Sequence, residues 1–385
     1  MLQCEERRAR LAAAMDKSGA WPADSPWIRD AFAARPRHLF APDRLWHWDG
    51  HAYVPVGRKA DPQRWAAEVY AGPDDPAITQ ITGGVPSSSL SCPAIIADML
   101  DSLMLEPGHR VLELGAGQGL SAALLDWRTG PGLVTTVEVD PALASAAQDR
   151  LEALGAGVAV KTGDGELGWP DGAPYDRVVS TYAVESVPWA WIEQTRPGGR
   201  IVTPWGRLGH VALTVADDGK SATGWMQGLA AFMPSRTTPE ARRSWRQVRG
   251  DGPTEDERAL ALPPGRLNDG NVLFVLRVCL PDLEVFTRTG DDHRVTGFLH
   301  DGHSSWATLT ACGVGTTLVR QGGPRRLADE AERVLDGWAQ QGEPSLYDFG
   351  MTVLPDTQFT WCKDPETGPY WLPRHDATPS GNRAS

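Results

Sequence analysis

Cysteine is scarce in this chain: its 385 residues carry five, Cys4, Cys92, Cys279, Cys312 and Cys362. They are scattered, odd in number and never in a CxxC spacing, so neither a disulfide framework nor a cysteine zinc site is suggested, and no metal is expected. Long hydrophobic runs are also missing. Nothing approaches the roughly 18 to 20 apolar residues that cross a bilayer, and the first residues, with Glu5, Glu6, Arg7 and Arg8, have no signal-peptide pattern. No membrane partner is expected, and the cytoplasm is the expected location. An excess of positive charge is absent too: 37 Lys and Arg stand against 49 Asp and Glu, a net charge of −12. Phosphate binding needs a positive surface, so no nucleic-acid partner is expected. There is no internal repeat.

What is present is the composition of a soluble globular protein, 41% hydrophobic and 22% charged, at a length that suits one ordinary core plus an addition. Residues 1–75 read as an N-terminal helical segment, helical over 6–34, followed by a Trp- and Pro-rich connector with little regular structure. From Pro93 the pattern becomes α/β. Short apolar runs recur at 111–114, 134–139, 158–162, 177–181 and 201–204, with helical segments at 120–125 and 143–154 between them. Strands alternating with helices predict a doubly wound, mainly parallel sheet over residues 76–236. Residues 237–270 read as a charged, Pro/Gly-rich linker. Residues 271–375 read as a C-terminal α+β domain, with strands at 272–280 and 297–300 and a helix through Leu327, Ala331, Leu335 and Trp338. Residues 376–385 read as a polar tail.

The run Val111-Leu112-Glu113-Leu114-Gly115-Ala116-Gly117-Gln118-Gly119 is a strand entering a glycine turn that opens a helix. Glycines let backbone approach a ligand closely. Here the spacing is GxGxG, with Glu113 two residues before the first glycine, the variant of S-adenosylmethionine sites; an NAD site is the competing reading. Glu138, at the end of the next strand and beside Val139, can accept from both ribose hydroxyls, while Asp140 reads as a cap for the following helix. Asp164 and Gly165, after the third strand, stand at the same sheet edge, suited to the adenine amino group. The bland reading is an αβ turn with incidental acids.

Arg35-Pro36-Arg37-His38-Leu39-Phe40, Ser89-Leu90-Ser91-Cys92-Pro93, 111–119, Gly163-Asp164-Gly165, Ala173-Pro174-Tyr175-Asp176, Val187-Pro188, Gln194 and Pro197-Gly198-Gly199-Arg200 follow in order. Over residues 25–235 this order resembles the protein-L-isoaspartate O-methyltransferases. The resemblance implies a Rossmann-like class I methyltransferase fold that takes S-adenosylmethionine to S-adenosylhomocysteine. It implies that Ser91 and Ser89 sit at the substrate carboxylate as the catalytic hydroxyls, with Ser88, His38, Val187 and Pro188 around the substrate. A carboxylate attacking a sulfonium methyl must be positioned and desolvated without being protonated, which suits a hydroxyl donor. The alternative is that Ser87 to Ser91 form a polar loop capping the helix after Pro93.

Ordinary members of that family end near the equivalent of Phe232-Met233-Pro234. Residues 320–338 and 347–353 resemble instead the extension of methyltransferases encoded with ribosomal peptide natural products, above all the ATP-grasp-matured graspetides, with relatives accompanying lanthipeptides and lasso peptides. This implies that the partner is a modified precursor peptide, that an unmodified L-aspartate is methylated and cyclises to aspartimide, with hydrolysis to isoaspartate in some cases, and that the extension serves substrate recognition. A repair enzyme for isoaspartate is the alternative, and a non-catalytic escort of the peptide the second. His300-Asp301-Gly302-His303 reads as a surface loop rather than a metal pair. Trp46, Trp48 and Trp65 suit either a substrate groove or the core. Arg242, Arg243, Arg246 and Arg249 suit a solvated face or an acidic leader peptide.

Overall fold

The computed structural model describes residues 2–206, 208–237, 243–312 and 316–372; Arg242 and the tail 376–385 lie outside them. The predicted N-terminal helix is two helices, α1 (Leu2–Ser18) and α2 (Trp27–Ala34). Gly19, left-handed at φ +70°, ends the first, and Pro22 and Pro26 keep the second from joining it. The connector expected to lack structure holds β1 (Arg44–Trp48), β2 (Tyr53–Gly57) and α3 (Pro62–Val69). The Asp61 carboxylate accepts from the Arg64 N–H and so caps α3. Trp65 belongs to the core, 1% exposed, its indole N–H donating to the Pro42 carbonyl at 2.8 Å. Trp48 lies on the surface against Tyr53. A second hairpin, β3 (Ala77–Thr82) and β4 (Val85–Leu90), completes an antiparallel sheet in the order β2-β1-β3-β4, which leaves β4 at an edge.

The central part follows as α4 (Pro93–Ser102), β5 (Val111–Leu114), α5 (Leu120–Thr129), β6 (Val134–Glu138), α6 (Pro141–Ala153), β7 (Val158–Thr162), β8 (Tyr175–Ser180), α7 (Trp189–Glu193) and β9 (Thr195–Pro204). All pairings within β7-β6-β5-β8-β9 are parallel. The chain winds outward from β5 to β7 and then crosses back to β8. The carboxyl ends of β5 and β8 therefore bound the switch-point crevice where doubly wound sheets bind ligands. The strands at β5 are buried on both faces, which is why they read as unbroken apolar runs. Antiparallel β10 (His210–Val215) and β11 (Ala222–Gly228) continue the sheet beyond β9.

The extension contributes α8 (Trp245–Arg249), β12 (Asp256–Leu260), α9 (Gly270–Cys279), β13 (Glu284–Thr289), β14 (Val295–His300), β15 (Trp306–Ala311), β16 (Thr317–Gly322), α10 (Leu327–Gln340), β17 (Phe349–Leu354), β18 (Thr357–Cys362) and β19 (Tyr370–Trp371). The run expected as a strand at 272–280 is helix α9. A short apolar run does not reveal its own period when it is buried almost all round, as Val272, Phe274, Val275, Leu276 and Val278 are. Asp269 caps it, accepting from the N–H groups of Asn271 and Val272. Strands β12 to β16 form their own five-stranded antiparallel sheet, with Leu327, Ala331, Leu335 and Trp338 of α10 buried.

Strands β17 to β19 lie outside that sheet: β17 pairs with β11, β18 with β17 and β19 with β18, so the central sheet has ten strands in the order β19-β18-β17-β11-β10-β9-β8-β5-β6-β7. One apolar cluster runs from Leu112 and Leu114 under the glycine turn to Phe349 and Met351 in the extension. The seam is tight at Gly350, which faces Trp225 across β11. A Cβ there would meet the Trp361 ring and lie 2.6 Å from the Gly224 carbonyl oxygen.

Candidate active site

The loop after β5 leaves the sheet at Gly115 and turns through three left-handed glycines, Gly115, Gly117 and Gly119, at φ +96°, +52° and +88°. At Gly115 a Cβ would lie 2.6 Å from Thr181 Oγ1, at the end of β8, so only glycine lets the turn close over the crevice. The Thr181 hydroxyl donates to the Gly115 carbonyl at 2.6 Å and ties the two strand ends together. Gly119 serves packing instead: it faces Leu151 of α6 and lies outside the cavity lining.

Glu138 ends β6 beside this turn. Its Oε2 accepts from the Gly117 N–H at 2.9 Å and its Oε1 from the Asp140 N–H at 3.1 Å. Asp140 caps α6 as its position predicts, Oδ1 accepting from Ala142 and Leu143. Glu113 is placed differently from the expectation. It is wholly buried between β5 and β6, accepts from the Thr136 hydroxyl at 2.5 Å, and does not line the cavity. Burial pushes its carboxyl up to about 7, Glu138's charge adds to this, and hydrogen bonds from Thr136 and Ser121 oppose it. Glu113 thus supports the turn from beneath.

A cavity of about 330 Å³ opens at this point, in the range of small-molecule sites. Its walls join Gly115 and Gly117, Glu138 and Val139, and Asp164 and Gly165 to Ser87 through Ser91 and to the segment 231–237. Asp164 Oδ1 accepts from the Glu166 N–H at 2.9 Å. Ser88 is buried and accepts from the Thr79 hydroxyl at 3.1 Å. The hydroxyls of Ser89 and Ser91 have no hydrogen-bond partner among the described residues. Nor does Ser91 cap the next helix, whose N-cap is Cys92 with no side-chain bond. Their strand is held by Arg37, which sequence reasoning passed over in favour of His38. Fully buried, Arg37 donates Nε to the Val69 carbonyl at 2.8 Å, Nη1 to that of Ser91 at 2.5 Å and Nη2 to that of Leu90 at 2.8 Å. Its place inside the Arg35–Phe40 motif was the available signal.

Three residues expected around the substrate are not brought to the cavity. His38 is buried with its Nδ1 2.7 Å from the Tyr70 hydroxyl. Val187 is buried, its N–H donating to Gln358 Oε1 at 3.0 Å, and Pro188 precedes α7. A residue that sequence reasoning missed does line it: Tyr182, whose hydroxyl is buried without a partner. Burial and the charges of Glu166, Asp164 and Glu138 raise its pKa. The other candidates fall elsewhere. His300-Asp301-Gly302-His303 is a turn closed by Asp301 Oδ1, which accepts from the N–H groups of His303, Ser304 and Ser305. Arg249 lies over Trp306 at 4.0 Å, and Arg243 donates to the His303 carbonyl.

These residues fit S-adenosylmethionine. The Glu138 carboxylate lines the cavity beside the glycine turn, the buried Gln118 Oε1 and Tyr182 hydroxyl lack partners, and Val139 is 40% exposed in the same lining. A model of the protein-L-isoaspartate(D-aspartate) O-methyltransferase family matches residues 23–231. The protein-L-isoaspartate O-methyltransferase of Methylorubrum populi is 43% identical over 152 residues, 40% of this chain and 68% of that protein. That of Ignicoccus hospitalis is 35% identical over 183 residues, 46% of this chain and 72% of that protein. A solved structure described as a protein-L-isoaspartate O-methyltransferase aligns with 93% of this chain and 100% of its own, with a TM-score of 0.53; at 22% identity this is a likeness of fold. The chain belongs to the protein-L-isoaspartate O-methyltransferase family, with the class I methyltransferase fold and S-adenosylmethionine as its cofactor.

Proposed function

We propose that this chain methylates the side-chain carboxylate of an L-aspartate in a macrocyclised ribosomal precursor peptide. The observation that carries this reading is the integration of the extension. Beyond the family match, which ends at residue 231, the chain pairs β17 onto the core sheet and sends Gln358 to Val187, five residues from Tyr182 in the cavity. On this reading the added surface contacts the peptide, and the likeness of residues 320–338 and 347–353 to natural-product methyltransferases supports a peptide of that class.

The cofactor supplies an electrophilic methyl group on a positively charged sulfur. A carboxylate would take that methyl group while the sulfur kept the bonding pair and left as a neutral thioether, so the protein would need no general base. Ser89 and Ser91 donate hydrogen bonds that hold the carboxylate in line, while the neutral hydroxyls leave its nucleophilicity intact. Arg37 fixes the backbone that carries them.

A second reading, repair of isoaspartyl proteins, is favoured by the names of the relatives and by a solved structure of that name that aligns beyond residue 231. Both readings require a carboxyl methyl ester, which mild alkali releases as methanol. Ser91→Ala is expected to lower turnover roughly tenfold, the worth of one hydrogen bond to a charged group, with S-adenosylhomocysteine affinity unchanged. Parental turnover in this variant removes Ser91 from the reaction, and an alkali-stable product removes carboxyl methylation.

A further inference from the structure

Arg236 is the one cationic side chain among the described residues lining the cavity, which also carries the acids Glu138 and Asp164. It lies past residue 231, outside the family match. Its guanidinium joins three parts of the molecule. Nη2 donates to Gln80 Oε1 at 2.8 Å, on β3, and to the Ser87 carbonyl, on β4. Nη1 donates to Asp140 Oδ2 at 3.3 Å, at the start of α6. The same groups bond one another: Gln80 Nε2 donates to Asp140 Oδ2 at 3.0 Å, and the Ser87 hydroxyl to Gln80 Oε1 at 2.9 Å. Asp140 follows Glu138 by two residues, and Ser87 precedes Ser89 by two.

We propose that Arg236 is a positioning residue that fastens the serine strand to the cofactor-binding turn, so that the bound nucleoside leaves only when this bridge opens. The inference rests on the cofactor site described above. The wall that carries Arg236 is itself anchored, since the Ser235 hydroxyl donates to Glu166 Oε1 at 2.7 Å and the Ser235 N–H to the Ala183 carbonyl at 2.9 Å. The bridge is the breakable part. Its side chains are partly exposed, 34% at Arg236 and 20% at Asp140, and an ion pair in that setting is screened by salt and modest in strength. A cover that must admit and release a nucleoside in every turnover needs such a contact. Only a guanidinium spans the three acceptors, because lysine carries a single point charge.

Asp140 allows bridging to be separated from capping. Its Oδ1 caps α6 and its Oδ2 takes the bridge, so Asp140→Asn keeps an acceptor for the helix and loses the ion pair. The experiment is stopped-flow release of S-adenosylhomocysteine from the full chain, beside calorimetric affinity and thermal unfolding. Arg236→Lys and Asp140→Asn are each expected to release the nucleoside roughly tenfold faster. The double variant should be no faster than either, because both changes open the same bridge. Added salt should speed release from the parent more than from Arg236→Lys. A purely structural contact would lower the unfolding temperature and leave release unmoved. Release within twofold of the parent, or effects that multiply in the double variant, overturns the bridge alone. A parent that does not bind the nucleoside overturns the cofactor site and the bridge with it. If Arg236→Lys does not fold, Asp140→Asn carries the same test.

Discussion

Glu138 and Glu113 lie on neighbouring strands and serve the turn in opposite ways. Glu138 is at the cavity wall, where its two oxygens already order the Gly117 and Asp140 amides. Glu138→Ala is expected to weaken S-adenosylhomocysteine binding by about 1.5 to 3 kcal/mol, the worth of a charge-assisted hydrogen bond. Calorimetry checks it, and parental affinity removes Glu138 from the ribose. Glu113 is buried with its carboxyl near 7 instead of 4.5. Between those values the folded chain holds a proton that the unfolded chain has released, so stability falls as pH rises through the window. Denaturation at about pH 5 and about pH 7.5 should show a loss of up to about 3 kcal/mol in the parent and a flatter response in Glu113→Gln. Equal slopes in both would contradict the buried, proton-holding carboxyl. At this scale the sequence was legible where spacing carries the chemistry. The two glycines, Glu138, Asp164 and the serines converge on one cavity. Arg37 and Tyr182 were not legible, because what singles them out is burial against backbone carbonyls and against Gly165, and linear spacing does not display burial.

The elements were legible in proportion to how far their burial imprints a pattern. The parallel strands β5, β6 and β8, covered on both faces, show as apolar runs. Helix α10 shows as a stripe with Trp338 at its end. Helix α9 did not show its period because it is buried nearly all round, and β1 and β2 were hidden by the run Trp46-His47-Trp48 in the one and by Pro55 in the other. The pairing of β17 with β11 joins residues more than a hundred apart, and no local signal announces it. What the pairing demands is visible afterwards in Gly350 under Trp361. Gly350→Ala is expected to destabilise the chain by about 1 to 3 kcal/mol through overpacking at the seam. Thermal unfolding of the full chain reads it. An unchanged midpoint would mean that the extension does not press on the core sheet there.

For the molecule as a whole, the family core binds the cofactor and presents two hydroxyls, and the extension is built into the same sheet. Esterifying an aspartate turns a poor electrophile into an acyl group with a methoxide leaving group beside the next backbone nitrogen. Ring closure is then intramolecular, and effective molarities for well-oriented cases reach about 10⁵ M or more. Closure is fastest where glycine follows the aspartate, since the missing Cβ leaves the nitrogen unhindered. The most direct test is time-resolved mass spectrometry of the full chain with S-adenosylmethionine, given in parallel a cyclised precursor containing Asp-Gly and a set of generic isoaspartyl peptides. The precursor is expected to gain one methyl group and then lose methanol, for a net loss of one water, while the generic peptides are poor substrates. Preferential methylation of the isoaspartyl peptides, with the precursor untouched, would contradict the tailoring function and leave a repair methyltransferase in its place.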